Sequence, residues 1–174
     1  PGMLAARIDP PPLTLDPRTV ELAEATSWRD RVLLGRDLRG RDVTAPTFDV
    51  GSWLVGGING SGKTTLLRLL ATHYALDPSA TIWGCDGKGS RDDWGPLRPR
   101  VERWVDVADP DAGADYLQLL RDAFDVVVAR NGAGGRDHPG MLILLEEATT
   151  LRAGLGNADQ AEADKLLTRL VQTC

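Results

Sequence analysis

Residues Gly57-Ile58-Asn59-Gly60-Ser61-Gly62-Lys63-Thr64 keep the spacing G-x-x-x-x-G-K-[ST]. Glycines at these places let the backbone curl until successive N–H groups face one centre, and a helix that starts there adds the positive end of its dipole. Such a cradle suits a phosphate. The Lys63 ammonium is a point charge for β- and γ-phosphates, and the Thr64 hydroxyl is an oxygen donor for Mg2+. The residues expected to hold ATP are therefore Gly57, Asn59, Gly60, Ser61, Gly62, Lys63, Thr64 and Thr65.

A phosphate loop of this type works with an acid at the end of a second strand, and the apolar run Met141–Leu145 followed by Glu146-Glu147 supplies one. The first acid would hold Mg2+ together with Thr64, and Glu147 would polarise the attacking water. Lys63 and Glu147 are thus the catalytic candidates, Thr64 and Glu146 the metal candidates. Glu146 stands where Asp is usual, and one more methylene changes the reach to the metal. ATP binding is accordingly a firmer expectation than rapid hydrolysis, and Glu146→Asp is expected to preserve or raise turnover. Taken alone, the acid pair also fits the opening of a solvent-facing loop or helix. A third segment, Trp83-Gly84-Cys85-Asp86-Gly87-Lys88-Gly89, again ends an apolar stretch. It puts Asp86 and Lys88 on the nucleotide side if it closes a parallel strand. An ordinary Asp-Gly turn with a solvated lysine is equally compatible.

Positioning these groups requires strands alternating with helices. From residue 52 onward the pattern is that of βαβ units. Ser52–Gly56 reads as a buried strand before the phosphate loop, and 64–74 as a helix with Leu66, Leu67, Leu69 and Leu70 on one stripe. Thr81–Cys85 reads as the next strand, 110–128 as a helix and Met141–Leu145 as a central strand buried on both faces. Residues 130–140 read as a loop, and 159–171 as a helix with Leu166, Leu167, Leu170 and Val171 inward. Upstream, the prolines of residues 1–20 indicate an extended arm, followed by a short helix over 20–31. Arg31–Gly35 and Asp42–Thr44 flank a polar RDLRGRD turn and read as a small β element. The fold expected is α/β with a mainly parallel sheet, arranged as an arm with a short helix over 1–30 and a P-loop domain over 31–174.

Length and composition are those of one globular core: 174 residues, 18.8 kDa, 42% hydrophobic and 26% charged. No apolar run approaches the roughly 18 to 20 residues needed to cross a bilayer, and the first residues do not read as a signal peptide. Any leader or anchor would lie upstream. A net charge of −5 argues against coating nucleic acid over the whole surface, though a local basic groove stays open. Two cysteines, Cys85 and Cys174, are too few for a disulfide framework or a cysteine-based zinc site, so a reducing compartment is the natural reading. His73 and His138 alone do not make a His-rich metal centre, and His73 reads as structural.

Of the five tryptophans, Trp53 and Trp83 fall in expected strands and read as core. Trp94 and Trp104 sit among Arg91, Arg98, Arg100 and Arg103, either as a basic and aromatic patch for a partner or as a solvated edge.

The β element, phosphate loop, DGKG segment and acidic strand end, in this order, resemble the motor domain of the FtsK/SpoIIIE family of DNA translocases. There a short "lGxdxxGxxv" element precedes the P-loop strand. A strand ending in "DPKG" follows, matched here by Asp86-Gly87-Lys88-Gly89 with Gly in place of Pro. An acidic "DEfxxL" comes next, matched by Glu146-Glu147-Ala148-Thr149-Thr150-Leu151. The resemblance runs from about Arg31 to the last residue and includes the helix Lys165–Gln172. It implies a RecA-like P-loop NTPase core that uses ATP and Mg2+, a hexameric ring with ATP between subunits, and double-stranded DNA as the substrate. It also implies a cytoplasmic motor whose parent protein can be anchored at the inner face of the membrane. By the same resemblance the chain stops before the sensor strand, with the DNA-gripping segments missing. A nucleotide-binding assembly module of a type VII secretion machine, with little turnover, is the alternative. A P-loop kinase ranks lowest, since no arginine-rich lid follows the last strand.

Overall fold

The computed structural model describes residues 27–48, 51–89, 91–133 and 138–173. The arm expected over 1–20 lies outside them. Of the helix expected over 20–31, only 27–31 are described, and they form a turn in which the Asp30 amide donates to the Ser27 carbonyl at 2.9 Å.

Strands β1 (Val32–Arg36) and β2 (Asp42–Ala45) form the expected antiparallel hairpin. Its turn is organised by Asp37, whose Oδ1 accepts the amides of Arg39 (2.8 Å) and Arg41 (2.9 Å). These bonds, above all the Arg41 amide and guanidinium, hold the Asp37 carboxyl below its ordinary range.

Helix α1 (Lys63–Ala75) shares its apolar side between two partners. Leu66, Leu69 and Leu70 pack with Val32, Leu34 and Ala45 of the hairpin, whereas Leu67 and Ala71 turn to the main sheet. That sheet has three parallel strands in the order β4-β3-β5: Arg103–Asp106, Thr81–Asp86 and Met141–Glu146. The β3–β5 register sets Asp86 beside Glu146, so both strands end at one edge.

Alternation along the strands makes two layers. Leu144 and Trp104 face Leu67 and Ala71 of α1. Cys85, Val105, Ile143 and Leu145 face the larger core, where α3 (Ala112–Gly132) buries Tyr116, Leu117, Leu119, Leu120 and Ala123. Helices α4 (Ala148–Ala153) and α5 (Asn157–Thr173) complete this side through Leu151, Ala163 and Leu170. Between β3 and β4 the chain makes the single-turn helix α2 (Arg91–Trp94) and a 3-10 turn, Gly95–Arg100. This is the RecA-like P-loop arrangement, with a hairpin in front of it. Among the described residues no helix is long and apolar enough to cross a membrane.

Four expectations are corrected. Ser52–Gly56 is not a strand: its backbone pairs with no strand, Leu54 is 99% exposed and Trp53 38% exposed. The segment instead lines an apolar furrow with Leu142, Leu144, Leu167 and Leu170 along the second edge of β5. Its apolar composition suits a strand, but here the backbone finds no strand to pair with and most of the segment stays open to solvent. For the same reason β5 is an edge strand of this sheet and β3 the central one. Val171 is exposed while Leu170 is buried, because α5 presents a narrower stripe to α3 than the run LLTRLV suggests. The loop expected over 130–140 begins later, since α3 runs to Gly132; residues 134–137 lie outside the described set.

Candidate nucleotide site

Gly60 and Gly62 have φ of 76° and 89°, a left-handed conformation that costs a side chain strain and costs glycine none. They turn the loop into α1, whose first intrahelical bond runs from the Leu66 amide to the Gly62 carbonyl at 2.9 Å. The helix has no acidic residue of its own in its first turn, where its positive dipole end lies. The Lys63 ammonium folds back and donates to the Ile58 carbonyl at 3.0 Å, spanning the loop from within.

Asn59, Gly60, Gly62, Lys63, Thr64 and Thr65 line one wall of a cleft of about 840 Å3. Gly87, Lys88, Glu146, Glu147 and Thr150 line the other, with Asp93 beside them. The three sequence segments thus converge on one cavity. Two residues expected there, Gly57 and Ser61, are not on its wall; the Ser61 side chain lies close over Gly57.

Glu146 is the hub. Its carboxylate is buried, and its Oε1 accepts a hydrogen bond from the Thr64 hydroxyl, joining the end of β5 to the first turn of α1. Its Oε2 accepts the indole N–H of Trp94 at 2.7 Å, from 52 residues away. Bonds to an ionised acceptor contribute about 1.5 to 3 kcal/mol each, against the high cost of an unpaired buried carboxylate.

Glu147 is the exposed neighbour, and its backbone sits at φ 47°, ψ 34°. It is the one non-glycine residue with positive φ among those described. Such conformations cost roughly 1 to 3 kcal/mol and persist where neighbouring structure imposes them. Here the constraint is visible: the Gly87 amide donates to the Glu146 carbonyl at 2.9 Å, and a Cβ on Gly87 would collide with the Glu147 carbonyl.

Asp86 plays a different part from Lys88. It is buried, and its Oδ1 accepts the amides of Lys88 (2.8 Å) and Gly89 (3.0 Å), shaping the loop that carries Lys88 to the cleft. The preceding Cys85 is fully buried, and burial followed by the Asp86 charge pushes its thiol up to about 12.

Of the two readings of the Trp94 and Trp104 region, the structure has the edge, with its arginines engaged. Trp94 is 2% exposed and its ring centroid lies 5.2 Å from that of Trp104, so it is not available as a stacking surface. Arg98 lies over Trp104, Arg100 donates to the carbonyls of Ala75 and Asp77, and Arg103 pairs with Asp122. These arginines brace the subdomain edge. His73 is buried edge-on against Tyr74, in a structural position. Sequence reasoning missed Asp93 and Gly87 on the cleft wall, and the contact of Trp94 with Glu146 from behind it, which has no local sequence signal.

As to a metal, Thr64 and Glu146 offer a hydroxyl and a carboxylate, hard oxygens of the kind Mg2+ takes. Among the described residues no group of three or more His, Cys, Asp or Glu could hold a metal ion. A hydroxyl and a carboxylate facing one cleft fit a cation that brings phosphate oxygens and takes one or two protein ligands, as Mg2+ does.

The chain matches no protein-family model and no curated protein sequence. Its fold is similar to that of the pCW3 conjugation coupling protein TcpA, solved as a monomer with ATPγS. The TM-score is 0.55 at 18% sequence identity, over 91% of this chain and 48% of that one. The chain thus spans about half the length of the protein it resembles, and the likeness bears on the RecA-like P-loop fold.

Proposed function

We propose that this chain is the ATP-binding and ATP-hydrolysing core of an FtsK/SpoIIIE-type motor that moves double-stranded DNA, with residues 31–174 belonging to the motor domain. The observation that carries the nucleotide part is the Thr64–Glu146 hydrogen bond, which joins the phosphate loop to the acidic strand end across one cleft. The order of hairpin, phosphate loop, DGKG loop and acidic strand end supports the finer assignment, as does a fold similar to that of a conjugation coupling protein.

The roles follow from position. Backbone amides of residues 59–65 and the α1 dipole receive the phosphates, and Lys63 releases Ile58 to meet them. When bound, Mg2+ would neutralise phosphate charge, with Thr64 and Glu146 as its protein ligands. Glu147, exposed on the cleft wall, accepts a proton from the attacking water. Lys88 brings a second positive charge to the same wall. A cytoplasmic hexameric ring, with DNA gripped outside these residues and the parent protein tied to a membrane, completes the proposal.

ATP hydrolysis with and without double-stranded DNA tests it. DNA-stimulated turnover that disappears in Lys63→Ala and Glu147→Gln supports the motor. Tight ATP binding with no turnover in either condition replaces it with the assembly module of a secretion machine.

A further inference from the structure

Trp94 lies in the short segment between β3 and β4, whereas the carboxylate that it touches ends β5. An indole has one N–H donor and no acceptor, so its partner must present a lone pair. Glu146 Oε2 does so at 2.7 Å, in a place where both side chains are buried. The other oxygen, Oε1, takes the Thr64 hydroxyl. The two oxygens of one carboxylate are thus divided, one held by the indole and one turned to the first turn of α1.

A glutamate has one more rotatable bond than an aspartate, so its carboxylate needs an additional restraint to keep a fixed direction. The indole supplies that restraint, and is itself fixed. Its ring packs with Ala71 of α1, Leu144 of β5 and the tilted ring of Trp104. The neighbouring Asp93 approaches Arg68 of α1 at 4.0 Å, which ties the same segment to the helix that carries Thr64. Packing alone does not require the N–H bond. Trp83 Nε1 is also buried and has no partner, so this fold holds an indole without one.

We propose that Trp94 is a positioning residue: its N–H fixes the plane of the Glu146 carboxylate so that Oε1 stays directed at Thr64, and thereby sets how strongly the pair captures Mg2+ with a nucleotide. The inference rests on the nucleotide reading above. Partners that orient a metal ligand commonly change metal affinity by about 10- to 100-fold when removed.

The test is ATPγS affinity measured in Mg2+ and in EDTA for the protein and for Trp94→Phe, which keeps a ring and removes the donor. The expected result is an unchanged affinity in EDTA and a Mg2+ enhancement reduced about tenfold. Adding Trp94→Phe to Glu146→Gln should change neither value, since the carboxylate it positions is already gone. A folded Trp94→Phe with the full Mg2+ enhancement overturns the inference and leaves the nucleotide reading standing. No ATPγS binding by the unmodified protein overturns both. Should Trp94→Phe not fold, the indole N–H resonance of Trp94 in the unmodified, 15N-labelled protein decides. A shift on adding Mg2+ at saturating ATPγS supports the restraint, and an unmoved resonance overturns it.

Discussion

The backbone amide of Gly87 donates to the carbonyl of Glu146 at 2.9 Å, so the loop after β3 is fastened to the end of β5. Through this bond the two segments form one wall of the cleft, and Glu147 is held with φ at 47°. A methyl group on Gly87 would strike the Glu147 carbonyl, which is backbone and cannot rotate aside. Gly87→Ala should therefore destabilise by about 1 to 3 kcal/mol and lower the melting temperature by roughly 2 to 10 °C. Thermal unfolding followed by circular dichroism measures this, and an unchanged midpoint contradicts the close approach.

For Glu146→Asp, sequence alone favours equal or higher turnover, but the geometry argues the other way. A side chain one methylene shorter cannot reach both Thr64 and the Trp94 indole, whose buried N–H then loses its acceptor. The expected loss is about 1 to 3 kcal/mol of stability, together with lower Mg2+-dependent turnover. Urea unfolding and ATPase assays on the same variant check both. Unchanged stability with raised turnover would show that the indole contact has no consequence.

Much of this site is legible in the sequence because it is local. The GxxxxGK[ST] spacing dictates a loop and helix within eight residues, and MLILL followed by two acids fixes a strand and what stands at its end. What escapes local reading is contact across distance. Trp94 meets Glu146 over 52 residues, and its flanking arginines suggest a surface patch where the structure has a buried donor. Ser52–Gly56 fails for a related reason: apolar composition settles neither that a segment is buried nor that its backbone finds a strand to pair with, and Leu54 is fully exposed. The left-handed backbone of Glu147 is likewise imposed by Gly87 and carries no sign of its own.

Burial holds the Cys85 thiol at a pKa of about 12. Almost no thiolate exists at neutral pH, and the thiolate is the reactive form. In a Cys174→Ser background, alkylation by iodoacetamide at pH 7.5 should be negligible for the folded protein and prompt in denaturant. Rapid labelling of the folded protein contradicts the packing around β3.

Two ion pairs cross helices on the α3 side: Arg121 with Glu162 at 2.8 Å and Arg152 with Asp164 at 2.6 Å. Hydrogen bonds from the guanidinium groups lower the pKa of both carboxyls. Carboxyls with depressed folded-state values contribute stability above their unfolded range, near about 4, and lose it as pH falls through the lowered values. Both pairs are open to solvent, so at pH 7 Glu162→Gln and Asp164→Asn should each change stability little. Below about pH 4 the double variant should lose stability less steeply than the unmodified protein. Urea midpoints from pH 7 to pH 3 give the comparison, and parallel curves would contradict it.

The central claim is that the cleft between the phosphate loop and Glu146 holds a nucleoside triphosphate, and calorimetric titration of ATPγS in Mg2+ measures it most directly. Saturable one-site binding, lost in a folded Lys63→Ala variant and weakened by EDTA, is the predicted result. No binding, or equal binding by Lys63→Ala, would contradict it.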